Sequence, residues 1–218
     1  MKTAEAILSA QLQHLGFQKK GRKLLFLRSQ DIIGLFGFER PSDMLYLQFA
    51  VIPLYMPCPG FIYYSYGRRL TDLYADLPTL TRSSTEEEIQ SFCFRAMLHI
   101  TQDVLPFMED HSTAAALYAY AERKRRLFAR VEPFIFCDPA HTLELALFSC
   151  LAAKDYDRAR PAAKRYISHI RSCRYWTEDL KRSKLDAVAP LLSALDAGET
   201  DKIDAILEQN RAMNLALF

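Results

Sequence analysis

The densest group of chemistry-bearing side chains in this chain is Cys137-Asp138-Pro139-Ala140-His141, with Glu144 three residues further on. On a helix His141 and Glu144 share a face, and a thiol just ahead of a helix N-terminus has its pKa lowered. A metal ion would need at least one further ligand from elsewhere in the chain. The same residues also make an ordinary helix start, with Asp138 as N-cap and Pro139 at the first helical position, and that reading is preferred. No catalytic or metal-ligating residue is assigned, and no cofactor is expected.

A second group is basic and aromatic. Arg68 and Arg69 follow the run Phe61-Ile-Tyr63-Tyr64-Ser-Tyr66, while Lys19, Lys20 and Arg22 precede the first hydrophobic strand. An arginine pair at a strand end, beside tyrosine hydroxyls, has the geometry to hold a carboxylate or an acidic peptide bidentately. Lys20, Arg22, Tyr64, Tyr66, Arg68 and Arg69 are therefore the candidate binding residues. Their competing structural role is an ion pair with Asp72, Asp76 or Glu39. His14, His99, His111, His141 and His169 are scattered singly, and His99 reads as a boundary residue that hydrogen-bonds its neighbours. Trp176 with Tyr175 is an interface anchor or, preferably, a plug between two helical hairpins.

The motifs that usually announce chemistry are missing. There is no Gly-x-Gly-x-x-Gly or Gly-Lys-Ser/Thr loop, no Gly-x-Ser-x-Gly elbow, no His-Glu-x-x-His helix and no Ser-x-x-Lys pair. A net charge of +2 gives no case for a polyanionic partner. Basic runs at Lys19–Lys23, Arg123–Arg126 and Arg171–Lys184 are interleaved with apolar residues and read as solvated faces. Five widely spaced cysteines without a Cys-x-x-Cys pair fit a reducing, cytoplasmic setting. Glu5 and Gln11 interrupt the N-terminal stretch, and no run approaches 18 apolar residues, so neither a signal peptide nor a membrane span is expected.

The elements that would position these groups change period along the chain. A helix is expected over residues 3–15, with Thr3 as its cap and Gly16 as its stop. Short β-branched and aromatic runs follow at Leu24–Arg28, Ile32–Phe38, Leu45–Leu54 and Phe61–Tyr66, with links too short for crossover helices. From Thr85 the period is helical. Ser84 or Thr85 caps a first helix that Pro106 ends or bends, and Ser112 or Thr113 opens a second. Asp138 opens a third and Asp157 a fourth with Pro161 in its first turn. Thr177 opens a fifth, which Pro190 should kink and Gly198 ends, and Thr200 caps the last. The fold class is α+β: an antiparallel four-stranded meander flanked by helices (residues 1–131), followed by an all-α helical-hairpin region (residues 132–218) packed on it.

That second region contains a repeat. Residues 147–159 lie over 191–203 at a spacing of 44, with identities at Leu147/Leu191, Ser149/Ser193, Leu151/Leu195, Ala153/Ala197 and Asp157/Asp201. Each copy reads as a helix end, a polar turn and a capped helix start, the signature of stacked hairpins.

The order Leu15-Gly16-Phe17-Gln-Lys19-Lys20-Gly21-Arg22, a Tyr-rich strand ending in Tyr66-Gly67-Arg68-Arg69, and an acidic-start helix closing at Val104-Leu105-Pro106 resembles an uncharacterised family of bacterial domains of unknown function. The likeness spans roughly residues 3–130 and implies a compact α+β domain of the bacterial cytoplasm with no agreed activity. The C-terminal hairpins are similar to tetratricopeptide hairpins in length, without the full signature. The expected function is a non-catalytic protein-binding module of adaptor or inhibitor type, with another protein as partner and no membrane; nucleic acid is disfavoured. The alternative is a small-ligand binder or enzyme with a basic pocket around Lys19, Arg22, Arg68 and Arg69, which requires those cations to converge.

Overall fold

The first helix, α1 (Lys2–His14), starts before Thr3, which therefore lies inside it. It stops where Gly16 turns left-handed at φ +92°, letting the Phe17 N–H reach back to the Leu12 carbonyl at 3.0 Å. The computed structural model describes residues 2–57, 60, 66–126 and 139–218. The expected strand at Phe61–Tyr66 (except Tyr66) and the helix start at Asp138 lie outside them.

Five strands follow in a consecutive antiparallel ladder: β1 (Gln18–Lys20), β2 (Leu24–Ser29), β3 (Ile32–Glu39), β4 (Met44–Pro53) and β5 (Gly67–Arg69). The sheet is wider than the meander read from the sequence, because Lys19 and Lys20 join it as the edge strand β1 and Gly67–Arg69 as β5. A short helix, α2 (Leu70–Leu73), then leads to β6 (Leu80–Thr81), which pairs with the start of β4. Period-two alternation sorts the side chains. Leu25, Phe36, Leu47 and Phe49 join α1's Ala4, Leu8 and Leu12 in one core, while Ile33, Leu35, Ala50 and Ile52 form a second core on the other face. Both faces are covered, as the apolar character of β4 predicts.

Helix α3 (Glu86–His99) begins with a complete capping box between Thr85 and Glu88. A π-helical turn at Ile100–Val104 then runs into α4 (Leu105–Asp110). Pro106 has no N–H to continue an α-helical ladder, and the widened turn just ahead of it absorbs that break without stopping the helix. Gly34 of β3 lies directly beneath α4, where a Cβ would collide with the Met108 thioether.

The remaining helices are α5 (Ala114–Arg126), α6 (Pro139–Ala152), α7 (Tyr156–Ser172), α8 (Glu178–Ala197) and α9 (Thr200–Ala216). The cap of α7 is Asp155 rather than Asp157, so Pro161 is its sixth residue and lies beyond the first turn. Its missing N–H affects only the Asp157 carbonyl, and the helix continues. Helix α8 likewise runs unbroken through Pro190. Glu199 occupies the cap position expected of Thr200.

The sequence repeat is realised down to single hydrogen bonds. Lys154 and Gly198, 44 residues apart, both turn left-handed, at φ 58° and 73°. Asp155 N–H donates to the Cys150 carbonyl at 2.9 Å, and Glu199 N–H to the Ala194 carbonyl at 2.8 Å. Leu147, Leu151 and Ala159 are buried, as are their counterparts Leu191, Leu195 and Ile203. The α6–α7 and α8–α9 hairpins are thus two copies of one unit, and one buried cluster runs without interruption from α1 to α9.

Helix α9 is fixed to the sheet by polar side chains. Asn214 Nδ2 donates to the carbonyls of Leu54 (2.9 Å) and Met56 (2.8 Å), and Asn210 Nδ2 to that of Tyr55 (3.0 Å). Arg211 reaches Asp31 at 3.0 Å; the other Asp31 oxygen accepts the Ala114 N–H at the start of α5.

Three outcomes follow. Asn214→Ala leaves two buried carbonyls without donors and should lower unfolding stability by about 2–3 kcal/mol in urea titrations. Nothing lies within 4 Å of a Cβ at Gly198, so Gly198→Ala should cost only the left-handed strain, about 1 kcal/mol, whereas Lys154→Gly should raise stability by about 0.5 kcal/mol.

Candidate functional site

One row of the sheet ladder places the predicted basic residues. Lys20, Leu24, Gly37, Gln48 and Arg69 are consecutive partners across all five strands, so Lys20 and Arg69 share a face. They stand on opposite edge strands, four inter-strand spacings or about 19 Å apart. Lys20 donates to the Leu217 carbonyl and lies 5.8 Å from the Phe218 ring centroid, anchoring the end of the chain over the sheet. Arg69 pairs with Glu39 (Nη2–Oε2 3.1 Å) and lies 4.1 Å from the Tyr46 ring centroid. Arg68 is in register with Phe49, on the opposite face from Arg69. Arg22 and Lys19 are exposed at the β1–β2 end. Tyr66 is buried, with its ring edge-on to His141 at 6.0 Å between centroids. Tyr64 lies outside the described residues. Within the described residues, Lys20 and Arg69 are thus held by structural contacts at separate edges of the sheet.

His99 has partners that sequence order hides. Its Nε2 is 2.9 Å from Asp76 Oδ1, its Nδ1 is 3.5 Å from Asp103 Oδ2, and its ring stacks on Tyr74 at 3.7 Å with an interplanar angle of 14°. The loop after α2 supplies Tyr74 and Asp76, the last turn of α3 supplies His99, and the π-helical turn supplies Asp103. Arg95 closes the group by donating to the Asp76 carbonyl at 2.9 Å. Burial, then the Asp103 and Asp76 charges, raises the Tyr74 hydroxyl above its ordinary pKa; the hydroxyl lies near Asp103 without a well-aligned hydrogen bond. With both ring nitrogens engaged, the imidazole ties the loop to the helix. This is the boundary role expected for His99.

His141 and Glu144, neighbours on a helix face by sequence, turn to different partners. Glu144 accepts the Tyr166 hydroxyl at 2.9 Å and the Lys184 ammonium at 3.2 Å, linking α6 to α7 and α8. Cys137 and Asp138 lie outside the described residues. Among the described residues, no three His, Cys, Asp or Glu side chains gather to hold a metal ion.

A cavity of about 350 Å³ lies between α5, α6 and the start of α7, floored by Ala115, Ala119 and Cys150. The charged groups on its rim are paired: Glu122 with Arg165 at 2.9 Å and Asp155 with Arg158 at 3.4 Å. Burial pushes the Cys150 thiol up to about 12, and Cys93, beneath α1, up to about 11. Neither is a nucleophile at neutral pH.

Those two thiols give a pH dependence. Unfolded, they ionise near the ordinary value of about 8.5, so above that pH the unfolded chain has lost protons that the folded protein keeps. Stability should therefore fall as pH rises from about 9 towards 11, and the fall should be shallower in Cys93→Ala/Cys150→Ala. Native iodoacetamide labelling at pH ~8 should modify half-exposed Cys173 and spare Cys93 and Cys150.

Compared with protein families, curated proteins and solved structures, the chain matches none of them.

Proposed function

We propose that the protein is a non-catalytic protein-binding module of adaptor or inhibitor type. The observation that supports this is a contrast in engagement. The residues with chemical potential, His99, Glu144, Cys150 and Asp31, are each tied into packing or internal polar contacts. Along α7, its link to α8 and the start of α8, by contrast, Lys164, Arg171, Arg174 and Arg182 are exposed and make no ion pair with any described residue. Tyr175 beside them is 97% exposed. Stacked hairpins offer such surfaces on a rigid frame, and exposed Tyr and Arg are the side chains that most often anchor protein interfaces.

Affinity capture from an extract of the cells that make the protein should recover one partner that co-elutes with it on gel filtration. Tyr175→Ala combined with Arg174→Ala should reduce the recovery at least about tenfold while leaving the thermal melt in place. Repeated absence of a co-eluting partner with folded bait would sink the reading.

A further inference from the structure

The small net charge conceals a strong segregation. From Arg158 to Lys184, 27 residues hold nine Lys/Arg against two Asp/Glu; the other 191 residues hold nineteen against twenty-four. A segment of +7 is therefore set against a remainder of −5. Five of the nine cations are neutralised locally, by Asp155, Asp196, Glu122, Glu178 and Glu144. Lys164, Arg171, Arg174 and Arg182 make no ion pair with any described residue.

Lys164, Ser168, Arg171 and Ser172 stand at i, i+4, i+7 and i+8 on α7, so they share one helix face. With Ile167 they line an open depression of about 610 Å³. A merely solvated basic face places carboxylates one turn from its cations. Here the positions one turn either side of Lys164 and Arg171 are Arg160, Ser168, Ile167 and Tyr175, so no carboxylate stands within one turn of either cation; Asp157, the acidic residue of α7, is two turns before Lys164.

Resting on the protein-binding reading above, we propose that the outer face of α7 and its corner with α8 docks an acidic amphipathic helix of a partner protein. Lys164 and Arg171 are two turns apart, about 10 Å along the axis, the spacing at which a helix laid alongside repeats its own carboxylates. Ser168 adds a donor between the cations, the Ser172 hydroxyl already donates to the His169 carbonyl at 3.1 Å, and Arg171 and Arg174 can hold carboxylates bidentately. Ile167 and Tyr175 offer the apolar contact that an amphipathic helix needs. A single-stranded nucleic acid fits less well, because it requires a series of stacking aromatics, and among the described residues of the segment from Arg158 to Lys184 Tyr175 is the one exposed aromatic.

The probe is a synthetic helical peptide with glutamates on one face and leucines on the flank, titrated by fluorescence anisotropy at low and physiological salt. The full chain should bind it, more weakly as salt rises. Lys164→Glu/Arg171→Glu should weaken binding at least about tenfold and acquire affinity for the same peptide with lysine in place of glutamate. Lys2→Glu/Lys23→Glu, which reverses exposed cations elsewhere, should leave binding unchanged. Lys164→Gln/Arg171→Gln serves as the milder pair if the reversal unfolds the chain. No peptide binding, binding indifferent to the α7 substitutions, or tighter binding of a single-stranded oligonucleotide lost on the same substitutions would each overturn the proposal. If the peptide fails while a cellular partner still co-elutes, only the acidic-helix assignment falls; if both fail, the binding-module reading falls with it.

Discussion

Where β4 leaves the sheet, the carbonyls of Leu54, Tyr55 and Met56 run out of strand partners, and three amide N–H groups from α9 take their place. A buried carbonyl without a donor costs about 1–3 kcal/mol, so the fold depends on this docking. It works because Asn210 and Asn214 are one turn apart on the same helix face, with Arg211 between them reaching Asp31. Asp31 in turn accepts from the first turn of α5 and belongs to the β2–β3 link. Apolar packing would tolerate many positions of helices over a sheet; directional hydrogen bonds to named carbonyls tolerate one.

The hairpins deliver α9 to that position. In both copies a left-handed residue closes the first helix and an acidic residue opens the second, so α6–α7 and α8–α9 turn with the same geometry. The stack buries aliphatic side chains worth about 1.5–3 kcal/mol each and carries α9 back across the sheet. The Tyr55–Ser149 hydroxyl pair, 2.7 Å apart and fully buried, makes the corresponding link from the sheet to α6.

The same construction accounts for where many of the conspicuous side chains are held. A chain that joins a sheet to a helical stack through polar contacts uses its Asp, Glu, His and Tyr residues as internal fastenings. His99 holds a loop, Glu144 holds three helices together, and Arg69 holds a sheet edge. A cationic helix face, followed by an exposed tyrosine, makes no ion pair with the described residues at Lys164 and Arg171. The binding surface proposed above accordingly lies on the outside of the stack.

The sequence by itself determined the elements whose signals are local. Period-two runs gave β2, β3 and β4, Ser84 or Thr85 marked the start of α3, and the 44-residue repeat gave both hairpin turns. Gly16 and Gly198 marked their stops, because left-handed backbone is cheap for glycine. Lys154 carries no such mark, and only its place in the repeat reveals it. Edge strand β1 was not legible, since Lys19 and Lys20 carry no apolar alternation and pair only because β2 offers its free edge. The π-helical turn ahead of Pro106 was legible as a break but not as a continuation. For the candidate site, sequence supplied the cations; the tertiary structure decided their fate. Residues 20 and 69 belong to strands that pairing places at opposite edges, Asp76 and His99 meet through a loop, and Lys164 and Arg171 are left uncompensated because the nearby carboxylates go to other cations. Each depends on contacts between segments distant in the chain, and periodicity along a chain does not encode distances across it.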